Sequence, residues 1–372
     1  MTTLSEFVYF PDNDNWATWM TRVIAMTNFG GADFGEIHRA VKGLKTGDYD
    51  GWHNRWRNMA EYVESLASDA EARSHIVTAR KSYLRAYTYY RMAQLWSQDS
   101  MSTIPLQMFD KMQECYAKWA SLSIPKVERV EIPFEGYTML GWLIHPLTKR
   151  AEKNPVMIYS GPESMDCGVV TFTGPLEARE RGVASLIVDG PGQGTTLRYK
   201  RIHGRPDYEK PFGAMVDYLE KRNDVDATRV GVFGSDMGGY CAVRAAAFDK
   251  RVRALGNITA CYDVYKDLYL YEKENHKQAL EAYLGTNDPD EAKSKLAEYN
   301  LSGIAEKVTC PLFMMHAEET VVYPVEPAYR VYREVKGPRE LHIINAGHTI
   351  MDRRMEAISM AMDWIADMLF RK

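Results

Sequence analysis

Hydrophobic spacing divides the chain into two textures. Up to about Ala120 no convincing strand pattern occurs. AEYVESLASDAEARSHIVTARKSYLRAYTYYRMAQLW (Ala60–Trp96) is rich in helix formers and repeats its apolar and aromatic residues at helical spacing. PLQMFDKMQECYAKWASL (Pro105–Leu122) predicts a further amphipathic helix with proline near its start. From Val127 the period changes. VERVEIPFEG and YTMLGWLIHP predict two strands of a hairpin turning around Glu135 and Gly136. Short apolar runs then alternate with helical stretches: PVMIYS, ASLIVD, VGVFG, ALGNITA, PLFMMH and LHIINA. Such runs are strands buried on both faces, and their alternation with helices predicts an α/β fold with a doubly wound, mostly parallel sheet. The expected division is an all-helical unit over residues 1–122 and an α/β core over 123–372.

Composition narrows the function without naming it. The 372 residues carry a formal net charge of -4, which gives no support for nucleic-acid binding. No apolar run is long enough to span a bilayer, and MTTLSEFVYFPDNDN does not read as a signal peptide. The five cysteines (Cys115, Cys167, Cys241, Cys261, Cys310) are scattered without metal spacing, which suggests free thiols in a reducing cytoplasm. His38 and His53 have no second ligand at metal spacing, so no metal is expected.

The chemistry concentrates in VGVFGSDMGGYCAVRAA (Val230–Ala246), a buried strand, a glycine turn and a helix. That is the layout of the nucleophile elbow G-x-Ser-x-G. Gly234 and Gly238 frame the turn, but Asp236 stands where the serine should be, and Ser235 lies one place early. Three further landmarks follow predicted strands: DGPGQG (Asp189–Gly194), HAEETVVYP (His316–Pro324) and Gly347-His348. The order elbow, acid loop, histidine is that of the α/β-hydrolase triad. DGPGQG matches no phosphate-binding fingerprint, and a tight turn packing beside the elbow is expected there.

With these motifs, and with GADFGEIHRAVKGLKTGDYDGW (Gly31–Trp52) and ARKSYLRAYTYYRMAQ (Ala79–Gln94), nearly the whole chain resembles one group of α/β-hydrolases. This is the group with an N-terminal helical cap, including 2,6-dihydroxypseudooxynicotine hydrolase, the fungal polyketide-shortening hydrolases of pigment synthesis and the FrsA-like proteins. The resemblance implies a cap roofing the pocket, a small-molecule carbonyl substrate of aromatic or polyketide type, no cofactor, and a homodimer. It also implies cleavage of esters, or of carbon–carbon bonds next to a ketone, by serine, histidine and an acid.

This chain departs from that pattern at three points. The nucleophile position is Asp236. Aligned on the acid loop, the acid position falls on Thr320, preceded by Glu318 and Glu319. The oxyanion loop reads Ser160-Gly161-Pro162-Glu163-Ser164, and a proline there has no N–H to donate. His348 alone is unaltered. The candidate catalytic residues are therefore Asp236, His348 and, as the group orienting the histidine, Glu319; Glu318 and Asp263 are the alternative acids. Met237, Gly161, Pro162, Glu163 and Asp263 are candidates for the oxyanion or substrate site. Tyr83 and Tyr87, on one helical side with Tyr90, are either core packing or a stacking wall for an aromatic substrate.

Three mechanisms compete for the carboxylate. An Asp–His pair can move protons on carbon or oxygen in elimination, aldol or retro-aldol steps or ring closure, with no acyl-enzyme. An aspartate can instead attack an sp3 carbon, as in haloalkane dehalogenases and epoxide hydrolases, which resemble this chain less in substrate type and often place tryptophan where Met237 stands. A ligand-binding pseudo-hydrolase without turnover is the third.

Overall fold

A computed structural model of the chain describes residues 9–96, 103–161, 163, 165–271, 274–319 and 324–371, with the side chains of 103–105, 274–276, 348, 349 and 351 outside that description. The chain divides into two compact units, Met1–Glu128 and Arg129–Lys372.

The first unit is helical: α1 (Asp14–Ala25), α2 (Phe34–Val41), α3 (Tyr49–Ala72), α4 (Ile76–Gln94) and α5 (Thr103–Ser121). Short acceptors start three of these helices. Asn13, Asp33 and Asp48 each accept a hydrogen bond from a backbone N–H in the first turn of α1, α2 and α3. Indoles fill the interior. Trp16 and Trp52 meet edge to face with centroids 4.6 Å apart, and the Trp52 Nε1 donates to the Met92 carbonyl at 2.6 Å. The tyrosines of α4 turn into the same unit: Tyr89 donates to Glu36 at 2.6 Å and Tyr83 to Glu71 at 2.7 Å.

The second unit is built on eight strands, β1 (Val127–Phe134), β2 (Tyr137–Ile144), β3 (Asn154–Ser160), β4 (Ala184–Val188), β5 (Val225–Asp236), β6 (Val252–Ala260), β7 (Leu312–Ala317) and β8 (Arg339–Ile344). Their order in the sheet is β1-β2-β4-β3-β5-β6-β7-β8, with β2 antiparallel to β4 and β3 to β8 parallel. This is the doubly wound sheet of an α/β-hydrolase. The central strands are buried at every or nearly every position because helices cover both faces. These helices are α6 (Cys167–Val170), α7 (Pro175–Glu180), α8 (Gly194–Lys200), α9 (Glu209–Glu220), α10 (Met237–Phe248), α11 (Glu274–Leu284), α12 (Pro289–Leu296), α13 (Glu326–Glu334) and α14 (Arg354–Phe370). Among the described residues no helix is long and apolar enough to cross a membrane.

The passage from β5 to α10 is set by three glycines. A methyl group on Gly234 would lie 2.1 Å from the Gly238 carbonyl oxygen, one on Gly238 would lie 2.2 Å from the Ser160 carbonyl oxygen, and one on Gly239 would lie 2.4 Å from Asn257 Oδ1. The helix therefore starts in direct backbone contact with β3 and packs on the Asn257 side chain of β6. Asn257, fully buried on β6, completes the contact by donating to the Gly239 carbonyl at 3.2 Å. Gly238→Ala is expected to lower stability by about 1–3 kcal/mol, the usual cost of forcing a methyl into packed backbone. Denaturant unfolding measures this, and an unchanged midpoint would contradict the close approach.

Candidate active site

Asp236 ends β5 and caps α10 with φ 55° and ψ -127°, a backbone region that residues with a Cβ rarely enter. The partner strand is irregular at the same level. Pairing of β5 with β6 slips between Ser235 and Asp236, and Thr259 on β6 also has a positive φ of 61°. Strain thus collects at the C-terminal rim of the sheet, where it turns one side chain out of the strand and onto the helix start. That side chain is the Asp236 carboxylate, 9% exposed, at the N-terminus of a 12-residue helix whose dipole favours negative charge.

Ser235 does not stand in for it. Successive strand residues face opposite sides, and the Ser235 hydroxyl lies 3.4 Å from the Tyr159 hydroxyl. Tyr159 is buried on β3, stacked on Phe233 with centroids 5.3 Å apart, and burial pushes its phenol above the usual range. Sequence reading passed over Tyr159; its place two residues before Gly161, on the strand feeding the oxyanion loop, was the signal.

The oxyanion loop is clamped from DGPGQG. Gln193 Nε2 donates to the Gly161 carbonyl at 2.9 Å, and its Oε1 accepts from the Tyr208 hydroxyl at 2.9 Å. Asp189, fully within the core, accepts from the Cys167 N–H at 2.9 Å and the Thr195 N–H at 2.8 Å, and from the Thr195 hydroxyl at 3.0 Å. Burial raises the Asp189 pKa, the Asp166 carboxylate adds to this, and the Thr195 and Cys167 donors oppose it. The turn expected beside the elbow is thus a two-armed brace. One arm holds Gly161, the other the start of α6. Glu163 is half-buried, with its carbonyl accepting from the Met165 N–H at 2.8 Å. Met237 is buried as the first residue of α10. Pro162 lies outside the described residues.

On the acid side, Glu318 and Glu319 are exposed and extend the ladder between β7 and β8. The Glu318 N–H donates to the Ile344 carbonyl at 2.8 Å and the Glu319 N–H to the Ala346 carbonyl at 3.2 Å. Two residues beyond Ala346 the chain reaches His348, the first residue of a 3-10 turn over His348–Arg353. The backbone therefore runs Glu319 alongside the approach to the histidine. The side chain of His348, and Thr320, lie outside the described residues. Asp263, the alternative acid, holds the turn after β6: it accepts from the Lys266 N–H at 3.1 Å, from Lys266 Nζ at 2.7 Å and from Asn300 Nδ2 at 2.9 Å. His316 is buried with Nδ1 2.8 Å from the Ala317 carbonyl, and burial lowers its pKa while that bond opposes the shift. Tyr83 and Tyr87 belong to the helical unit, where Tyr83 bonds Glu71 and Tyr87 packs edge to face on Tyr116 at 5.5 Å.

Known proteins share this frame. The FrsA-like family, described as "Esterase FrsA-like", matches residues 21–370. The chain is 35% identical over 249 residues to an "Alpha/beta hydrolase gkaG" of Penicillium citrinum, covering 63% of this chain and 57% of the relative. It is 32% identical over 265 residues to a "Hydrolyase ccsE" of Aspergillus clavatus, covering 66% and 60%. The chain thus spans less than two thirds of the length of these curated relatives. Among solved structures, 2,6-dihydroxy-pseudo-oxynicotine hydrolase superposes with a TM-score of 0.83 at 24% identity, covering 94% of this chain and 95% of that one. AbyA5 superposes with a TM-score of 0.68 at 17% identity, covering 95% and 99%. These two likenesses speak for the fold.

Gln193→Leu removes both arms of one clamp at once, leaving the Tyr208 hydroxyl and the Gly161 carbonyl to find other partners. A loss of about 1–3 kcal/mol in unfolding free energy is expected for such a buried pair. Gln193→Glu keeps the acceptor for Tyr208 but sets a buried carboxylate oxygen against the Gly161 carbonyl, and is expected to lose at least as much. Equal stability of Gln193→Leu and the parent chain in denaturant titration would show that the clamp holds nothing.

Proposed function

The chain belongs to the FrsA-like esterase family and is an α/β-hydrolase-fold enzyme; from that premise we propose that it performs acid–base chemistry on a small carbonyl compound through an Asp236–His348 pair, without a covalent ester. The observation that carries this reading is the strained elbow itself. The fold spends a disfavoured backbone conformation to present the side chain of residue 236, and that side chain is a carboxylate. The neighbouring Ser235 hydroxyl accepts from the Tyr159 hydroxyl at 3.4 Å, and Ser235 stands one place before the strained turn position.

The dipole at a helix N-terminus favours the charged form of a carboxylate, burial opposes it, and a charged carboxylate needs no activation to accept a proton. In the proposed reaction Asp236 takes a proton from the carbon next to a ketone. The C–H electron pair moves into the new carbon–carbon double bond, and the carbonyl pair moves onto oxygen, which takes a proton from His348. The enol so formed attacks a second carbonyl to close a ring, or expels a β-leaving group, the oxygen or leaving group taking the proton from Asp236 and the enol proton returning to His348. In the opposite sense Asp236 takes the proton of a β-hydroxyl, its O–H pair becomes the new carbonyl, and the breaking carbon–carbon bond supplies the pair of the enol. Glu319 is the proposed partner that orients His348, supported by its backbone bond to the Ala346 carbonyl. The substrate is proposed to be aromatic or polyketide-like, as the family resemblance implies. The reading includes a cytoplasmic homodimer. Cys115, Cys167, Cys241 and Cys261 are buried free thiols, which suits a reducing compartment, and the dimer rests on the resemblance.

Exchange of the α-protons of aryl alkyl ketones in deuterium oxide, followed by NMR, tests this directly, because exchange requires proton transfer and no further step. The parent chain is expected to accelerate exchange of at least one ketone of a panel. Asp236→Asn and His348→Ala are each expected to lose ~10²–10⁴ of that rate with melting temperatures little changed. A variant at either position that exchanges protons as fast as the parent would remove that residue from the mechanism.

A further inference from the structure

The parallel strands that present Asp236 at their C-terminal ends leave their N-terminal ends at the opposite rim of the core unit. At that rim a cavity of about 390 Å³ is bounded by Arg229 on β5, Lys250 and Arg253 flanking the start of β6, and Arg371 after α14, over an apolar floor that includes Val252 and Leu369. Arg229 precedes Asp236 by seven residues of strand, which at ~3.3 Å per residue separates the cavity from the elbow by about 20 Å. Among the described residues no carboxylate lines the cavity.

The four cations are held in different ways. Arg229 is paired with Asp226 at 2.7 Å and donates to the Lys153 carbonyl at 2.8 Å. The Lys250 amine donates to the Ala247 carbonyl at 3.1 Å and the Lys307 carbonyl at 2.7 Å, neutral acceptors that fix its position without cancelling its charge. Arg253 and Arg371 carry no carboxylate partner among the described residues, whereas Arg205, Arg222, Arg244 and Arg251 are each paired with at least one carboxylate. Three uncompensated cations therefore face one concave space, and the positive potentials add.

We propose that this cavity is a binding site for an organic phosphate monoester, separate from the elbow and independent of the reaction assigned to it. A dianion answers three uncompensated cations better than a single carboxylate does. The guanidinium forks of Arg253 and Arg371 match phosphate oxygens in pairs, and the Lys250 amine supplies a compact third charge. The apolar floor takes the organic body. The volume lies at the small end of ligand pockets, which start at about 300 Å³, so the body is no larger than a ring or a short chain.

Calorimetric titration of the full chain with phenyl phosphate, inorganic phosphate and phenol, at low and at physiological salt, tests the site. Phenyl phosphate is expected to saturate a single site, more tightly than inorganic phosphate and much more tightly than phenol, and to weaken as salt rises. The exposed pair Arg253→Ala/Arg371→Ala is expected to weaken it about tenfold or more, Arg253→Lys/Arg371→Lys much less, and Asp236→Asn not at all. Four results would overturn the proposal: no saturable binding, equal affinity for inorganic phosphate, binding insensitive to both salt and the double alanine change, or binding lost in Asp236→Asn, which would move the ligand to the elbow.

Discussion

The whole of this site depends on one close approach of backbones. Gly238 rests on the Ser160 and Gly161 carbonyls with no room for a methyl group, and Gly234 rests on the Gly238 carbonyl in the same way. The contact forces the chain to leave β5 and enter α10 within a single residue. That residue has no relaxed conformation available, and Asp236 is held at a positive φ. The proposed chemistry starts from this. The strained residue has its side chain lifted from the strand, set on the helix dipole and placed at the rim where the other strands end.

The same contact links the elbow to the oxyanion loop. Gly161 is touched on one side by Gly238 and held on the other by Gln193, whose far end is fixed by Tyr208. Asp189 ties the same turn to the start of α6. Gly161, directly after β3, is thus held by buried, directional bonds from outside its own segment. Charge stabilisation on an oxyanion is the part of hydrolase chemistry that such a loop normally supplies. A carboxylate that only moves protons asks less of it.

Much of the architecture was legible in the sequence because burial on both faces leaves a strong mark. PVMIYS, ASLIVD, VGVFG and PLFMMH each lie in a strand, and the switch of period near Val127 lies at the join of the two units. The elbow was legible because its glycines are demanded by sterics. The supporting contacts were not. Tyr159, Gln193, Tyr208 and Asn257 act through partners 15 to 76 residues away, and no local pattern reports a hydrogen bond from Gln193 to Gly161 or from Asn257 to Gly239. Asp263 shows the opposite limit. As a lone acid after a strand it read equally as a catalytic group or a cap, and only its bonds to Lys266 and Asn300 reveal how it is engaged.

The central claim is that the aspartate on the elbow moves protons and never bonds to the substrate. Single turnover in oxygen-18 water, followed by mass spectrometry of the peptide that contains Asp236, reads this at the residue itself. A nucleophilic aspartate would form an ester that water opens at the carboxyl carbon, leaving one heavy oxygen in its side chain. Proton transfer alone predicts that a substrate is converted and the Asp236 peptide keeps its original mass. A gain of one oxygen-18 in that peptide after turnover would contradict it and make the protein an aspartate-nucleophile hydrolase.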